Sequence, residues 1–248
     1  MKTKLLFFLA LFFTVQVSIS QTVDIPDANF ELALINLGVD TNGLTGNILL
    51  SDATSLNALN VSSKNISSLQ GIEAFVNLTS LYCNNNNLSS IDVSNLTNLE
   101  AFQCASNELT SIDLQSNLNL KGLYISGNSI SNLDLSTNTF LEEVYCDFNN
   151  LSSLDLSNNT ALLALSCLEN DIETLNVVSN NALVYLNFSE NDLSSIDISN
   201  NTLLTELHCH NNVLTSLDIS NNSLLENLNA YNNSLQTINA SNNSSLTN

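Results

Sequence analysis

Two histidines and a glutamate in the C-terminal part of the chain have the residue types and spacing of a metal site. Glu206, His208 and His210 alternate along one segment, so an extended strand would point them to the same side. Zinc or copper accepts such a set, and Glu190 is a candidate further ligand. Two histidines alone rarely suffice for a metal site, however. We therefore favour a polar part of a binding face and expect no metal or other cofactor.

These residues lie within a repeat that covers most of the chain. Its 21-residue unit, L-x-x-L-x-C-x-x-N-x-L-x-x-L-D-L-S-x-N-x-x, is clearest from Leu141 to Ala161. A fixed period of this length indicates a solenoid, in which each coil stacks on the next. Positions are numbered 1 to 21 from the leucines that begin the units, which are Leu78, Leu99, Leu120, Leu141, Leu162, Leu183, Leu204 and Leu225, with a ninth start at Leu246.

The hydrophobic pattern predicts the shape of one coil. Apolar positions 4 and 6 alternate with polar positions 3, 5 and 7, which is typical of a strand with one buried face. Positions 14–16, for example Leu154-Asp155-Leu156, predict a second, shorter extended segment. The remaining space is too short for a helix of ordinary length. We therefore predict a mostly β, weakly curved solenoid with short extended convex segments.

Position 9 is asparagine in all eight complete units. An amide both donates and accepts hydrogen bonds, so stacked copies can satisfy the backbone groups of the turn that follows the strand. We interpret this column as structural. Its members are Asn86, Asn107, Asn128, Asn149, Asn170, Asn191, Asn212 and Asn233.

All five cysteines occupy position 6, which the pattern places in the core. Their odd number and their alignment favour buried free thiols, because position 6 also accepts isoleucine, phenylalanine and alanine. The alternative is a disulfide between neighbouring coils, since adjacent strands lie ~4.8 Å apart. The five are Cys83, Cys104, Cys146, Cys167 and Cys209.

Position 15 is aspartate in six units and asparagine in two. A column of carboxylates could hold Ca²⁺ between coils. The alternative, which we favour, is that each side chain caps the turn that follows it. The residues are Asp92, Asp113, Asp134, Asp155, Asn176, Asp197, Asp218 and Asn239.

The N-terminal region differs from the repeats. Residues 1–20 predict a secretory signal peptide, with two lysines, a short apolar run and small residues at the cleavage site. Residues 21–55 predict an N-terminal cap. Within it, a helix begins at Pro26-Asp27, turns Phe30, Leu34 and Leu37 to one face and ends at Gly38.

We expect a loop region from Asp40 to Ser55 and read its Asp40-Thr41-Asn42-Gly43 segment as a turn, although it has a faint likeness to a calcium loop. Residues 56–248 form the repeat domain. Because the sequence ends three residues into a new unit, we expect a truncated C-terminus.

Charge and composition exclude several functions. The chain has 24 acidic residues against four lysines, which gives a formal net charge of −20. Nucleic acid and anionic membrane surfaces need a basic face, so neither is an expected partner. We expect no membrane insertion, because no segment has the length of a membrane span. No nucleophile–base set or phosphate loop can be assembled, and we expect no enzymatic activity.

The residues Leu78-x-x-Leu81-x-Cys83-x-x-Asn86-x-Leu88 match the core motif of the leucine-rich repeat family. With L-D-L-S-x-N and Leu69-Gln70-Gly71-Ile72, the chain resembles bacterial exported proteins of the internalin type. The resemblance implies a right-handed solenoid whose first strands form a concave parallel sheet. It also implies secretion or display on a bacterial cell surface, and binding to a protein or, less often, a glycan.

We predict that binding centres on the concave face, because its outward positions collect aromatic and acidic residues that no core requires. Such a face favours a partner with a basic surface. The predicted ligand-binding residues are Tyr124, Glu143, Tyr145, Asp147, Phe148, Glu169, Tyr185, Glu190, Glu206, His208 and His210.

Two other functions compete with an extracellular protein-binding or adhesion module. A structural spacer would need only a featureless concave face. Ca²⁺-dependent binding would use the carboxylate column at position 15, and binding to ice or a mineral would use regular polar columns such as the one at position 12. Serines outnumber threonines in these columns and the concave face is varied, which favours the binding module. The column at position 12 begins Ser89, Thr110, Ser131, Ser152.

Overall fold

The computed structural model describes residues 21–247, so the predicted signal peptide lies outside the described residues. The chain begins with a small unit that precedes the coils. Strand β1 (Thr22–Asp24) pairs antiparallel with β2 (Asn47–Leu49), and helices α1 (Ala28–Asn36) and α2 (Leu50–Ala53) flank the pair.

The predicted N-terminal helix is present. The Asp27 carboxylate caps it by accepting hydrogen bonds from the backbone N–H groups of Asn29 (2.9 Å) and Phe30 (3.1 Å). Gly38, with φ +71°, ends it. The prediction that Leu37 shares the buried face was wrong, because Leu37 follows the last helical turn and is 50% exposed.

The expectation of a loop from Asp40 to Ser55 was also wrong, since this region contains β2 and α2. Each is only three or four residues long, too short for a periodic signal in the sequence. The predicted turn is present, with the Asp40 carboxylate accepting from the backbone N–H of Asn42 at 3.1 Å.

Nine parallel strands form one sheet, in which each coil contributes one strand of three residues. Neighbouring strands pair at equivalent positions, as Leu123 pairs with Val144 and Val144 with Leu165. In chain order the strands are β3 (Ala58–Asn60), β4 (Ser80–Tyr82), β5 (Ala101–Gln103), β6 (Gly122–Tyr124), β7 (Glu143–Tyr145), β8 (Ala164–Ser166), β9 (Tyr185–Asn187), β10 (Glu206–His208) and β12 (Asn227–Asn229).

The opposite side of the solenoid is built from short extended segments, as predicted. Only the last two complete coils form strands there, β11 (Ser216–Asp218) and β13 (Thr237–Asn239), which pair in parallel. After Ala53 the described residues contain no α-helix, and the region has one 3₁₀ turn at Ile72–Ala74. The described chain also has no helix long and apolar enough to cross a membrane. The architecture is therefore a mostly β parallel solenoid.

The asparagine column at position 9 fixes the turn after each strand. Asn149 is buried, and its side-chain oxygen accepts from the backbone N–H of Ile130 at 3.0 Å. Its NH₂ group donates to the carbonyls of Ile125, Cys146 and Asp147, each at 3.1 Å. One amide thus satisfies backbone groups of two coils, which confirms the structural interpretation.

A second column of buried asparagines, at position 19, was present in the repeat motif, but the sequence did not reveal its role. Asn159 has no exposed surface and donates to the carbonyls of Leu135 (3.1 Å) and Asn138 (2.9 Å) on the preceding coil. Both columns connect neighbouring coils through hydrogen bonds, but the second begins only at Asn117, because the first complete coil has Leu96 at position 19.

The aspartates of position 15 are turn caps. The Asp155 carboxylate accepts from the backbone N–H of Ser157 at 2.9 Å, and the Asn176 side chain accepts from the backbone N–H of Val178 at 3.1 Å. That backbone hydrogen bond lowers the pKa of Asp155 below its ordinary value. The cap that we favoured is therefore confirmed, and asparagine replaces aspartate because either side chain can accept the bond.

All five cysteines are buried free thiols. Burial raises the pKa of Cys146 well above its ordinary value and that of Cys209 to about 12. Since the thiolate is the reactive form, these side chains are inert within the folded coils. They act as small apolar groups, as the pattern at position 6 predicted.

Alkylation tests this state directly. Folded protein treated with iodoacetamide at mildly alkaline pH is expected to take up no label, because the five thiols are buried away from the reagent. Protein unfolded in guanidinium without reductant should take up five labels, counted by intact mass. Fewer than five would show that a disulfide joins neighbouring coils.

Candidate binding face

Four aromatic rings form a continuous row across the concave sheet. Tyr124 on β6 and Tyr145 on β7 stack with centroids 5.3 Å apart and an interplanar angle of 7°. Tyr145 and Tyr185 lie 6.5 Å apart at 28°, and Tyr185 and His208 lie 5.7 Å apart at 53°. All four are half-buried and lie on the outer side of the sheet. We call Tyr124, Tyr145, Tyr185 and His208 the aromatic strip.

The strip crosses β8 because that strand carries small side chains. Ala164 pairs with Tyr185, and Ser166 pairs with Tyr145, so the two tyrosines approach each other diagonally over them. The sequence predicted the tyrosines as candidate binding residues. Their contact depends on a diagonal across three coils, and its only sequence signal is the small pair Ala164 and Ser166 between two tyrosine-bearing units.

Two of the predicted binding carboxylates are engaged within the sheet. Glu143 accepts a hydrogen bond from the Tyr124 hydroxyl. Asp147 accepts from the Ser126 hydroxyl (3.1 Å), the backbone N–H of Leu168 (2.9 Å) and the Ser166 hydroxyl. Asp147 thereby ties three neighbouring coils together beside the strip.

These surroundings keep the three tyrosines of the strip protonated. Burial raises the pKa of Tyr124, and the hydrogen bond to Glu143 adds to the rise. Burial also raises the pKa of Tyr145 and Tyr185, with the charge of Asp147 adding to both. The tyrosines therefore present neutral rings with O–H donors at any physiological pH.

The two predicted histidines do not form one cluster, because each contacts a different glutamate. Strand β10 ends at His208, whose Nε2 lies 3.6 Å from Glu206 Oε2. His210 lies beyond the strand, 3.9 Å from Glu190 Oε1, and stacks on Tyr231 with centroids 4.6 Å apart. Residues 21–247 contain no group of three His, Cys, Asp or Glu side chains arranged to hold a metal ion. Tyr231 was not among the predicted binding residues, so the sequence analysis missed this contact.

The pKa of His210 provides a test of this packing. Burial lowers its pKa below the ordinary 6.5, the charge of His208 lowers it further, and Glu190 opposes the shift. An NMR titration should place the value below 6.5, and Tyr231→Ala should move it back up. The His210 imidazole binds a proton more tightly in the unfolded chain than in the folded protein. Its contribution to the free energy of unfolding is therefore complete above about pH 6.5, and it is lost as pH falls through the lowered pKa of the folded state. An unchanged value in Tyr231→Ala would contradict the stacking.

Position 8 adopts a left-handed backbone in every complete coil. Most coils place asparagine, serine or glycine there, of which glycine and asparagine tolerate this conformation best. Three consecutive coils instead place Phe148, Glu169 and Glu190 at position 8, with φ of +53°, +52° and +55°. All three are exposed. They stand beside the centre of the strip, and such strain at exposed residues is a feature of functional sites.

Phe148→Asn is expected to raise the free energy of unfolding by about 1 kcal/mol, because asparagine tolerates a left-handed backbone that costs other residues about 1–2 kcal/mol. Urea unfolding checks this. The control is Phe140→Asn, at another exposed phenylalanine that has no positive φ. If Phe148→Asn lowered the free energy of unfolding and Phe140→Asn did not, the Phe148 ring would stabilise the fold by packing, which would contradict the prediction.

In the described part of the chain no lysine pairs with the acidic residues beside the strip, and Glu190 has His210 as its basic neighbour at 3.9 Å. Glu169 and Glu190 follow β8 and β9 on adjacent coils. The described residues contain one lysine–carboxylate ion pair, Lys121 to Glu100 at 2.8 Å, which lies outside the strip. Open depressions of about 410 and 520 Å³ flank the strip, the first lined in part by Tyr124 and the second by His208. The concave face is therefore an aromatic row with an uncompensated acidic edge.

No protein-family model matches the chain, and no curated protein matches it. Solved structures do. An internalin, InlF, from Listeria monocytogenes is 25% identical over 94% of this chain and 84% of its own, with a TM-score of 0.70. The functional domain of InlJ from the same species, which includes a cysteine ladder, is 26% identical over 92% of this chain, with a TM-score of 0.53. This chain covers 65% of that domain's length.

A more distant match is the leucine-rich repeat ectodomain of the plant receptor kinase GASSHO1/SCHENGEN3 from Arabidopsis thaliana, solved in complex with CASPARIAN STRIP INTEGRITY FACTOR 2. It is 22% identical, with a TM-score of 0.66, over 77% of this chain and 27% of its own. Together with the stacked 21-residue coils, these similarities define the class. The protein has the bacterial internalin-like leucine-rich repeat fold.

Proposed function

We propose that this protein is an extracellular or cell-surface binding module, without catalytic activity, whose concave face holds a protein partner. The observation that carries the proposal is the aromatic strip. Its rings lie outside the core, on a rigid sheet, and half-exposed tyrosines supply contact area at low entropic cost.

Three further observations support the same face. The strained residues Phe148, Glu169 and Glu190 concentrate beside the strip, although asparagine or glycine would fit better. The acidic edge favours a partner with a basic surface and an affinity that falls with salt. Leucine-rich repeat neighbours include one solved in complex with CASPARIAN STRIP INTEGRITY FACTOR 2.

The experiment uses the protein as bait against cell-surface and secreted proteins, followed by affinity measurement with the captured partner. Replacement of Tyr145 and Tyr185 should abolish capture, whereas replacement of Phe140, an exposed phenylalanine off the sheet, should not. A structural spacer, the competing function, predicts that no partner depends on the strip. Capture that survives loss of the strip would contradict the proposal.

A further inference from the structure

An open depression of about 410 Å³ lies at the N-terminal end of the aromatic strip. Its volume falls within the roughly 300–1,000 Å³ of small-molecule sites in proteins. Tyr82 on β4 and Tyr124 on β6 both line it, and the small residues Ala101 and Gly122 line it between them. Tyr82 pairs with Gln103, and Gln103 pairs with Tyr124, so the two tyrosine backbones lie two strand spacings apart, about 9–10 Å. The two tyrosines therefore border one open space.

One face of the Tyr124 ring is turned to this depression. Tyr145 stacks on the other face, at 5.3 Å and 7° from parallel, and does not line the depression. A Cβ atom at Gly122 would lie 3.0 Å from the Tyr124 ring, so the glycine lets the ring lie close over the sheet. The Tyr124 hydroxyl is held by its hydrogen bond to Glu143. The depression therefore has a flat aromatic wall whose position is fixed by its neighbours.

The polar groups around the depression include both hydrogen-bond donors and acceptors. The Gln103 side-chain oxygen accepts from the Asn84 side chain at 3.0 Å, which leaves the Gln103 NH₂ group to donate to a ligand. Lys121 Nζ and Glu100 Oε2, which also border the depression, form an exposed ion pair of 2.8 Å. Each member of this pair has more hydrogen-bonding positions than one ion pair uses. Neighbouring donors and acceptors are therefore available beside an aromatic face.

We infer that this depression is a subsite for a neutral saccharide. A pyranose ring presents a face of C–H groups and an edge of hydroxyls that both donate and accept. The C–H face matches the free face of Tyr124 through dispersion contacts, and the hydroxyls match the Gln103 amide and the Lys121–Glu100 pair. A cationic ligand would meet Lys121, and an anionic ligand would meet Glu100 and Glu142, so a neutral polyhydroxyl ligand fits this border best. The site shares only Tyr124 with the aromatic strip.

The test applies the tagged protein to a broad array of neutral and charged oligosaccharides and then titrates the neutral one that binds best. The chain has no tryptophan, so its intrinsic tyrosine fluorescence reports a ligand that contacts these rings. Neutral oligosaccharides should bind, and their affinity should change less than twofold between low and high salt, because the ligand contributes no charge. Absence of any neutral ligand, or binding only of cationic probes with loss of affinity in salt, would overturn the inference.

A matched pair of variants locates the site. Ala101→Leu fills part of the depression and should weaken binding of the oligosaccharide at least tenfold. Ala164→Leu makes the same change at the equivalent position of β8, away from the depression, and should leave binding unchanged. Gln103→Ala removes the free amide without adding bulk and should weaken binding at least threefold. Circular dichroism checks that each variant folds, and equal effects of the two leucine substitutions would also overturn the inference.

Two sources could supply the saccharide, a free oligosaccharide or a glycan attached to the captured protein partner. Enzymatic deglycosylation of the partner distinguishes them. Weaker capture after deglycosylation supports an attached glycan, and unchanged capture, with the soluble oligosaccharide still bound, supports a free one.

Failure of this inference is separable from failure of the proposed function, because Tyr145 and Tyr185 do not line the depression. A protein partner that needs these two tyrosines, with no oligosaccharide bound by the protein, would remove only the saccharide subsite. An oligosaccharide that is lost in Ala101→Leu and retained when Tyr145 and Tyr185 are replaced supports the subsite, whatever the outcome for the protein partner.

Discussion

Replacing Asn149 by alanine is expected to lower the free energy of unfolding by about 2 kcal/mol, because one buried backbone N–H loses its only acceptor and three carbonyls each lose one of their donors. The backbone N–H of Ile130 would lose its acceptor, and the carbonyls of Ile125 and Cys146 would lose a donor. The unpaired N–H costs about 1–3 kcal/mol, whereas the two carbonyls keep donors from Asn128 and Asn170 and contribute less. Urea unfolding followed by circular dichroism measures the change.

The adjacent residue provides a matched control. Asn150 is exposed, and its side chain makes no hydrogen bond within the described structure, so Asn150→Ala should change stability by less than about 0.5 kcal/mol. Asn149 lies in a central coil, and hydrogen exchange should show loss of protection spreading to both neighbouring coils. Equal effects of the two substitutions would contradict the role assigned to position 9.

The double substitution Tyr145→Ala with Tyr185→Ala is expected to weaken binding of the protein partner by about a hundredfold or more. Each ring is a candidate anchor of the kind that costs about 2 kcal/mol or more when truncated, and the two rings contact each other. Their effects are therefore expected to be non-additive. Because neither ring belongs to the buried core, the variant should keep the circular dichroism spectrum of the native protein.

Two controls separate the strip from the rest of the surface. Phe140→Ala removes an exposed ring that lies in the turn before β7, and Val178→Ala removes an exposed apolar side chain from the turn after the second extended segment. Both should retain native affinity. If these two substitutions abolished binding and the tyrosine pair did not, the binding face would lie elsewhere on the solenoid.

The repeat made the coil predictable in detail, because each position has the same environment in every unit. Leucine spacing predicted the strand and the second extended segment, and both are present. Position 6 predicted buried thiols, and position 15 predicted turn caps. These features are local and recur at a fixed period, so this one sequence shows each position of the coil in eight complete units.

The features that were missed lack that repetition. Strand β2 and helix α2 occur once and are too short to show a period. The left-handed turn at position 8 had a signal, since asparagine, serine or glycine occupies it in five units, but Phe148, Glu169 and Glu190 obscured it. The approach of Tyr145 and Tyr185 depends on side chains from three coils, and no spacing within one unit encodes it.

Hydroxyl-radical footprinting of the complex with its captured partner tests the central claim most directly, because it reports which exposed side chains the partner covers. The account predicts that Tyr145, Tyr185 and Phe148 become protected when the partner binds, while Phe140 reacts at the same rate as in the free protein. Protection of Phe140 with unchanged reactivity of the two tyrosines would contradict the assignment of the concave face as the binding surface.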